Sequence, residues 1–291
     1  MLNRLTAYLT LLALSLNGSA LAAYVDDIDA LLPTHYWTFD NTLVDRGNGI
    51  LRDGTFEAGS TFGAAITADS TNSIDVGTGQ VTVDNSTDMN DGADRYQTRT
   101  FATWFQADDL SSPTVIWEEG AGVNNFAITV GVARNVQVQA VDQGEYYLTI
   151  FADQLIEQGK PYHIAYTWER GTTTGGAGTR LRMWLNGIEQ GTSYTTTDPS
   201  VAAFPSHTGD INFGNTNEAL KFYNDDELDY IDRDKSLAHF AIWNDVLLSQ
   251  AQIDTLFENG AAPTTSTLSL NSLPADTSVP PKAVISWSEI L

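Results

Sequence analysis

From residue 97 to residue 185 the chain is a succession of short runs in which apolar and polar residues alternate. That period of two restricts it to strands with one face turned to a core. In Gln97–Gln106, Phe101, Thr103 and Phe105 fall on one face and Ala102 and Trp104 on the other. Val136, Val138 and Ala140 oppose Gln137, Gln139 and Val141. Ile164, Tyr166 and Trp168 oppose His163, Ala165 and Thr167, and Leu181, Met183 and Leu185 oppose Arg180, Arg182 and Trp184. Asn186-Gly187, directly after Leu185, is the strongest hairpin signal, because both central residues of a type I′ turn need positive φ.

Earlier and later segments fit the same pattern. His35 to Phe39 is a short aromatic strand ending at the turn-forming Asp40-Asn41, and Asn125–Val132 and Tyr146–Phe151 are further β-prone runs. Many short strands with Gly and Asn turns predict an all-β fold, an antiparallel two-sheet β-sandwich. Trp37, Trp104, Trp168 and Trp243 lie inside strand patterns and are expected in the core. One short C-terminal helix is predicted: Ser249 as N-cap, Gln250 to Phe257 as the body, and Gly260 closing it. The four histidines are His35, His163, His207 and His239; three lie in strand patterns, where a half-buried structural role is expected.

Residues 1–22 have the order of a secretory signal: Arg4, an apolar run from Leu5 to Leu16, and Ala20-Leu21-Ala22 as the cleavage site. The apolar run is too short to cross a bilayer core of about 30 Å as a helix. Residues 23–261 form the expected domain. Residues 262–291 begin as a Thr/Ser/Pro-rich tail and end in the apolar AVISWSEIL (283–291), read as an extra strand or a strand that docks on a partner. The chain has no cysteine, so neither disulfides nor thiolate metal sites are available. Its formal net charge of −23, with lysine only at 160, 221, 235 and 282, excludes nucleic acid as a partner and suits a solvated, exported surface.

The motifs follow one order. HYWTFDNTLVDRGNG (35–49), FGAA (62–65), SIDVG (73–77), FATWF (101–105), HIAYTWE (163–169) with LRMWLNGIEQG (181–191), INFG (211–214) and LAHFAIWNDVLLSQAQIDTLF (237–257) succeed one another. The series resembles the laminin-G-like, or concanavalin A-like lectin/glucanase, family of jelly-roll domains over residues 33–260. The resemblance implies two antiparallel sheets of six to seven strands. It also implies a structural calcium near the first-strand loop, where Asp40, Asp45 and Asn48 supply oxygen ligands. The chain departs from the family at Ala238 and His239, where acidic residues are usual.

A second acidic run, NDDELDYIDRD (224–234), offers Asp225, Asp226 and Asp229 for calcium, or forms a solvated loop. Glu227 and Asp229 are similar to the carboxylate motif of glucanases of this fold, with Asp232 where a Glu is expected. Trp117, beside Glu118 and Glu119, and the pair Tyr146-Tyr147 are placed at strand edges as ligand-contacting aromatics. The first functional reading is an exported, non-catalytic recognition module for a carbohydrate or a cell-surface protein. The second is an assembly component that self-associates through its C-terminal strand, and the third a glycan hydrolase or lyase.

Overall fold

The structure, a computed structural model, describes residues 24–89, 98–121, 124–131, 133–142, 146–169, 180–191, 193–195, 209–216, 220–221, 227–228 and 235–261. The chain divides into two compact units, 1–261 and 262–291. The signal segment 1–22, the tail with AVISWSEIL, and Asp225, Asp226 and Asp229 lie outside the described residues.

A helix opens the described chain, α1 (Tyr24–Ala30). Then come β1 (His35–Trp37), β2 (Gly54–Phe56), β3 (Thr61–Ala64), β4 (Asn72–Asp75), β5 (Val81–Val83) and β6 (Thr98–Ala107). They are followed by β7 (Thr114–Ala121), β8 (Asn124–Val130), β9 (Asn135–Asp142), β10 (Tyr146–Leu155), β11 (Pro161–Glu169) and β12 (Arg180–Leu185). The last strands are β13 (Ile188–Gln190), β14 (Ser193–Thr195), β15 (Ile211–Phe213), β16 (Leu220–Lys221), β17 (Glu227–Leu228) and β18 (Lys235–Asn244), before α2 (Gln250–Gly260).

These strands make an all-β, antiparallel two-sheet sandwich. The back sheet runs β13-β12-β11-β6-β18-β4-β3, with β1 also paired to β18; the front sheet runs β14-β10-β9-β8-β7-β15-β5-β2. Each has eight strands among the described residues, more than the six to seven expected. The Asn186-Gly187 turn has φ of 51° and 76° and closes the β12–β13 hairpin, as its residue types require.

The predicted alternation builds the core between the sheets. Phe101 and Phe105 of β6, Ile164, Tyr166 and Trp168 of β11, and Leu181, Met183 and Leu185 of β12 meet Trp117, Phe126, Ile128, Val136, Val138 and Phe213 of the front sheet. The back sheet is also covered on its other face, which is why β6, β11 and β18 are buried almost throughout. On that outer face the register lines up Trp184, Ala165, Ala102, Ala241 and Tyr36 across five strands. Three alanines between two large rings leave a trough, and Tyr24 and Ile28 of α1 join Ile253 and Leu256 of α2 in the cluster that fills it.

Among the described residues two helices are therefore present where one was expected. Gly260 belongs to α2 instead of following it. A Cβ there would come within 2.8 Å of a Tyr24 ring carbon and closer still to Trp104 Nε1, so close helix–sheet approach demands the glycine. Ser249 caps α2 as expected: its side chain accepts from Gln252 N, while the Gln252 side chain accepts from Ser249 N at 2.8 Å. Ser249→Ala is expected to lower the unfolding free energy by about 1 kcal/mol. Urea titration checks this, and an unchanged midpoint would show that packing alone holds the helix end.

Candidate functional site

The first-strand loop is organised by Asp45, which is buried. Its Oδ2 lies 2.7 Å from His35 Nδ1 and accepts from Arg52 N at 3.1 Å, and its Oδ1 accepts from Tyr36 N and Gly47 N, both at 2.9 Å. Burial alone would raise its pKa, but the hydrogen bonds from His35, Tyr36 and Gly47 outweigh burial and hold it below the ordinary aspartate value. Asp40 is committed elsewhere: its Oδ1 accepts from Thr71 Oγ1 at 2.7 Å, Asn72 N at 2.9 Å and Thr71 N at 3.2 Å. The Asn48 amide donates to Pro33 O at 3.3 Å. The expected trio does not fit calcium, because both Asp45 oxygens are occupied by donors and each residue ties a different segment. No group of three or more His, Asp or Glu among the described residues could hold a metal ion.

The three described histidines, His35, His163 and His239, lie on the back sheet and are fully buried, not half-buried as expected; His207 lies outside the described residues. Tyr24 Oη and His163 Nε2 share a hydrogen bond of 3.1 Å, fastening α1 to β11. Burial, then the nearby His239, pushes the His163 pKa down to about 3, so its ring is neutral at physiological pH. His239 lies 2.9 Å through Nδ1 from Tyr36 Oη and 3.3 Å through Nε2 from Asp69 Oδ1. Desolvation raises the Asp69 pKa, but the hydrogen bond and charge of His239 prevail and lower it. His239 has φ of 56° and sits where the β18–β6 register slips between Ala238 and Ala241, so the bulge aims its ring at the helix layer.

Trp117 is a correction. It lies within β7, wholly buried in the core, with its ring centroid 4.9 Å from those of Phe101 and Phe240. Register explains the placement: Trp117 pairs with Ile128 and Phe213, both inward-facing. Glu118 therefore points to the other face of the front sheet. Tyr146 and Tyr147 open β10, opposite Asp142 and Val141. Glu227 lies in β17, opposite Lys221.

Following Glu118 across the front sheet gives one continuous row. Pairing aligns Thr55, Thr82, Asn212, Glu118, Ala127, Gln139, Thr149 and Tyr194 across all eight strands. Residues directly opposite one another share a face, so this is the outer face of the sheet. Outward positions of a two-layer sandwich ordinarily meet water, yet Asn212, Glu118 and Thr149 are 0% exposed and Gln139 is 2% exposed. Asn125 and Thr129, on the flanking rows, are equally withdrawn.

The internal bonding of this floor is incomplete. Thr82 Oγ1 lies 3.2 Å from Asn212 Oδ1 and 3.1 Å from Glu57 Oε1, and Gln139 Nε2 donates to Asn125 Oδ1 at 3.0 Å. Asn212 Nδ2, Thr149 Oγ1 and Thr129 Oγ1 have no hydrogen-bond partner among the described residues. A buried polar group left so costs about 1–3 kcal/mol. Asn212 and Thr149 stand four strand spacings apart, on the order of 19 Å. Between them lie a carboxylate, a methyl group and an amide: Glu118, Ala127 and Gln139. Such a surface can exchange hydrogen bonds with a ligand rich in hydroxyl groups. Sequence reasoning missed it, although the polar residues at 125, 129, 137 and 139 facing away from apolar partners were a signal.

No protein-family model matches the chain, and no curated protein matches its sequence. Solved structures do match its fold. One comes from work on the cell entry of botulinum neurotoxin type C, dependent on interaction with two ganglioside molecules. It is 15% identical with a TM-score of 0.55, covering 80% of this chain and 52% of the toxin chain. Another is domain 4 of AbnA, an extracellular GH43 arabinanase from Geobacillus stearothermophilus, in complex with arabinotriose. It is 16% identical with a TM-score of 0.51, covering 77% of this chain and 97% of that domain. A third is the ligand-binding domain of botulinum neurotoxin serotype D in complex with N-acetylneuraminic acid, 13% identical with a TM-score of 0.52, over 78% of this chain and 50% of that one. The chain spans about half the length of the toxin chains it matches. At these identities the shared property is the jelly-roll β-sandwich fold. No helix among the described residues is long and apolar enough to cross a membrane.

Proposed function

We propose that this protein is an exported, non-catalytic recognition module that binds a carbohydrate across the outer face of its front sheet. The observation that carries the reading is the row from Asn212 to Thr149, where polar side chains withdrawn from solvent present a donor and hydroxyls that the described residues leave unanswered. Hydroxyl-rich ligands satisfy such groups, and alternate donors and acceptors along a floor recognise a sugar's hydroxyl pattern. The fold's company supports it, since ganglioside, arabinotriose and N-acetylneuraminic acid are the ligands named for the three matched structures.

The test is binding of the purified protein to an oligosaccharide array, followed by titration of each hit against the Asn212→Ala/Thr149→Val variant. Wild type is expected to bind at least one glycan, and the variant to bind it at least about tenfold more weakly, the effect of some 1.4 kcal/mol. Its unfolding midpoint is the control for folding, because Asn212→Ala also removes the acceptor of the Thr82 hydroxyl. Absence of any glycan binding would overturn the reading. A calcium ion at the acidic run holding Asp225, Asp226 and Asp229 is part of the same proposal: loss of glycan binding in EDTA gives the ion a role, and unchanged affinity removes it.

A further inference from the structure

Helix α1 rests on the back sheet by little more than two side chains: of its seven residues only Tyr24 and Ile28 are buried. Its polar ties are light. Val25 N donates to Asp69 Oδ2 at 3.2 Å, the Asn259 amide donates to Asp27, Arg46 pairs with Asp29 at the surface, and Trp243 Nε1 donates to Leu31 O at 3.1 Å. A helix this short has no stability of its own and persists only while docked. The link from α1 to β1 is strained. Leu32 is 69% exposed and has φ of 52°, a region that leucine rarely enters, and Pro33 follows it. Strain imposed by a docked neighbour relaxes when that neighbour leaves.

Beneath α1 sits a group that cannot carry charge where it lies. Tyr24 is wedged between two imidazoles, its ring centroid 5.9 Å from that of His163 and 4.9 Å from that of His239. His163 is wholly buried; its Nε2 meets Tyr24 Oη, and its Nδ1 has no hydrogen-bond partner among the described residues. The rings of Trp104 from β6 and Phe257 from α2, at 5.3 and 6.3 Å, bring no charge to it. From β18 it is faced by His239, which is engaged with Tyr36 of β1 and with Asp69. Asp69 and Asp27 act on Tyr24, the phenol that separates them from His163. A proton on Nε2 leaves the contact with Tyr24 possible, since the phenol oxygen also accepts. What the proton adds is a desolvated cation with no carboxylate bonded to it. Departure of α1 takes Tyr24 off Nε2 and admits water.

We propose that α1 is an acid-released strap: protonation of His163 lifts Tyr24–Ala30 from the back sheet about a hinge at Leu32-Pro33, while the two-sheet core stays folded. An imidazole open to water takes its proton near 6.5 and the buried one at about 3, so between those values the open form binds the additional proton. Opening becomes about tenfold more favourable for each pH unit below about 6.5.

The test is hydrogen–deuterium exchange of the purified full protein, read by mass spectrometry and corrected for the intrinsic exchange rate at each pH. From pH 7 to pH 5 the protection of the α1 amides is expected to fall by about 20-fold, while β6, β11 and β18 keep theirs. In His163→Asn the α1 protection is expected to stay constant within about twofold over the same range, which separates the imidazole from Asp27, Asp69 and His239. Tyr24→Phe is expected to lower α1 protection at both pH values and to keep the ratio of about 20, because the slope belongs to the imidazole and not to the phenol. This second variant decides the matter should His163→Asn fold poorly. Unchanged α1 protection in wild type, an equal loss in the core strands, the same ratio in His163→Asn, or its disappearance in Tyr24→Phe overturns the inference.

Discussion

Replacing Arg99 with methionine is expected to lower the unfolding free energy by roughly 3–5 kcal/mol, the penalty for leaving a buried charge without its partner. Arg99 enters the inter-sheet core from β6, with Nη1 3.0 Å from Glu119 Oε1 and Nε donating to Asn244 Oδ1 at 2.8 Å. Its guanidinium carbon lies 4.7 Å from the Phe101 ring centre and 5.6 Å from that of Phe126. Both members of the pair are 0% exposed, so water cannot compensate for a missing partner. Tyr166 reports the same surroundings: burial drives its pKa well up, Glu119 raises it further and Arg99 opposes that rise. Glu119→Leu is expected to cost a similar amount. The Arg99→Met/Glu119→Leu double variant is expected to be more stable than either single one, because it leaves no lone charge in the core. Guanidinium titrations of the four proteins measure the cycle, and additive losses would show that the two residues act independently.

Stability is also expected to fall in acid through His163. An unfolded histidine titrates near 6.5, whereas the folded ring does so at about 3. Between those values the unfolded chain binds the additional proton, so stability falls as pH drops below about 6.5. At about 1.4 kcal/mol per pH unit, the loss between pH 6.5 and pH 4 is on the order of 3 kcal/mol. Asp45 and Asp69 act lower down. Their depressed folded pKa values give stability that is complete above about 3.9 and is lost as pH falls through the folded values. Neutralising a chain of net charge −23 works in the opposite direction by relieving self-repulsion. The informative quantity is therefore the difference between wild type and His163→Asn across pH 4–7. That difference is expected to shrink as pH falls, and a constant offset would refute a neutral buried imidazole.

Much of the sandwich could be read from the sequence because period-two alternation and turn chemistry are local. β6, β11 and β12 fall within two residues of the alternating runs, and the β12–β13 hairpin follows from Asn186-Gly187 alone. α1 was not readable: its seven residues bury only Tyr24 and Ile28, and its stability comes from docking on the alanine trough, which exists only after three distant strands align. Trp117 was misplaced for a related reason. Next to two glutamates it looks like an edge residue, but the β7–β8 register shift between Val115 and Trp117 decides that Trp117 and Glu119 face inward and Glu118 outward. The front-face row joins positions 82, 212, 118, 139 and 149. No spacing rule along the chain links them, because pairing order places β15 between β5 and β7.

The position of β18 bears on when the protein can fold during its synthesis. This strand lies in the interior of the back sheet, beside β6 and β4, and is the only strand partner of β1 among the described residues. Its register joins Ile242 to Phe101 on one side and to His35 on the other, contacts that span well over a hundred residues. Until the ribosome has passed Asn244, β6 keeps a naked hydrogen-bonding edge and β1 has no strand to lie on. Contacts so distant along the chain make closure slow, on the millisecond-to-second scale of β-rich domains. For most of translation the nascent chain is therefore an open, edge-exposed polypeptide, the kind of client that chaperones hold and that is most vulnerable to premature strand pairing.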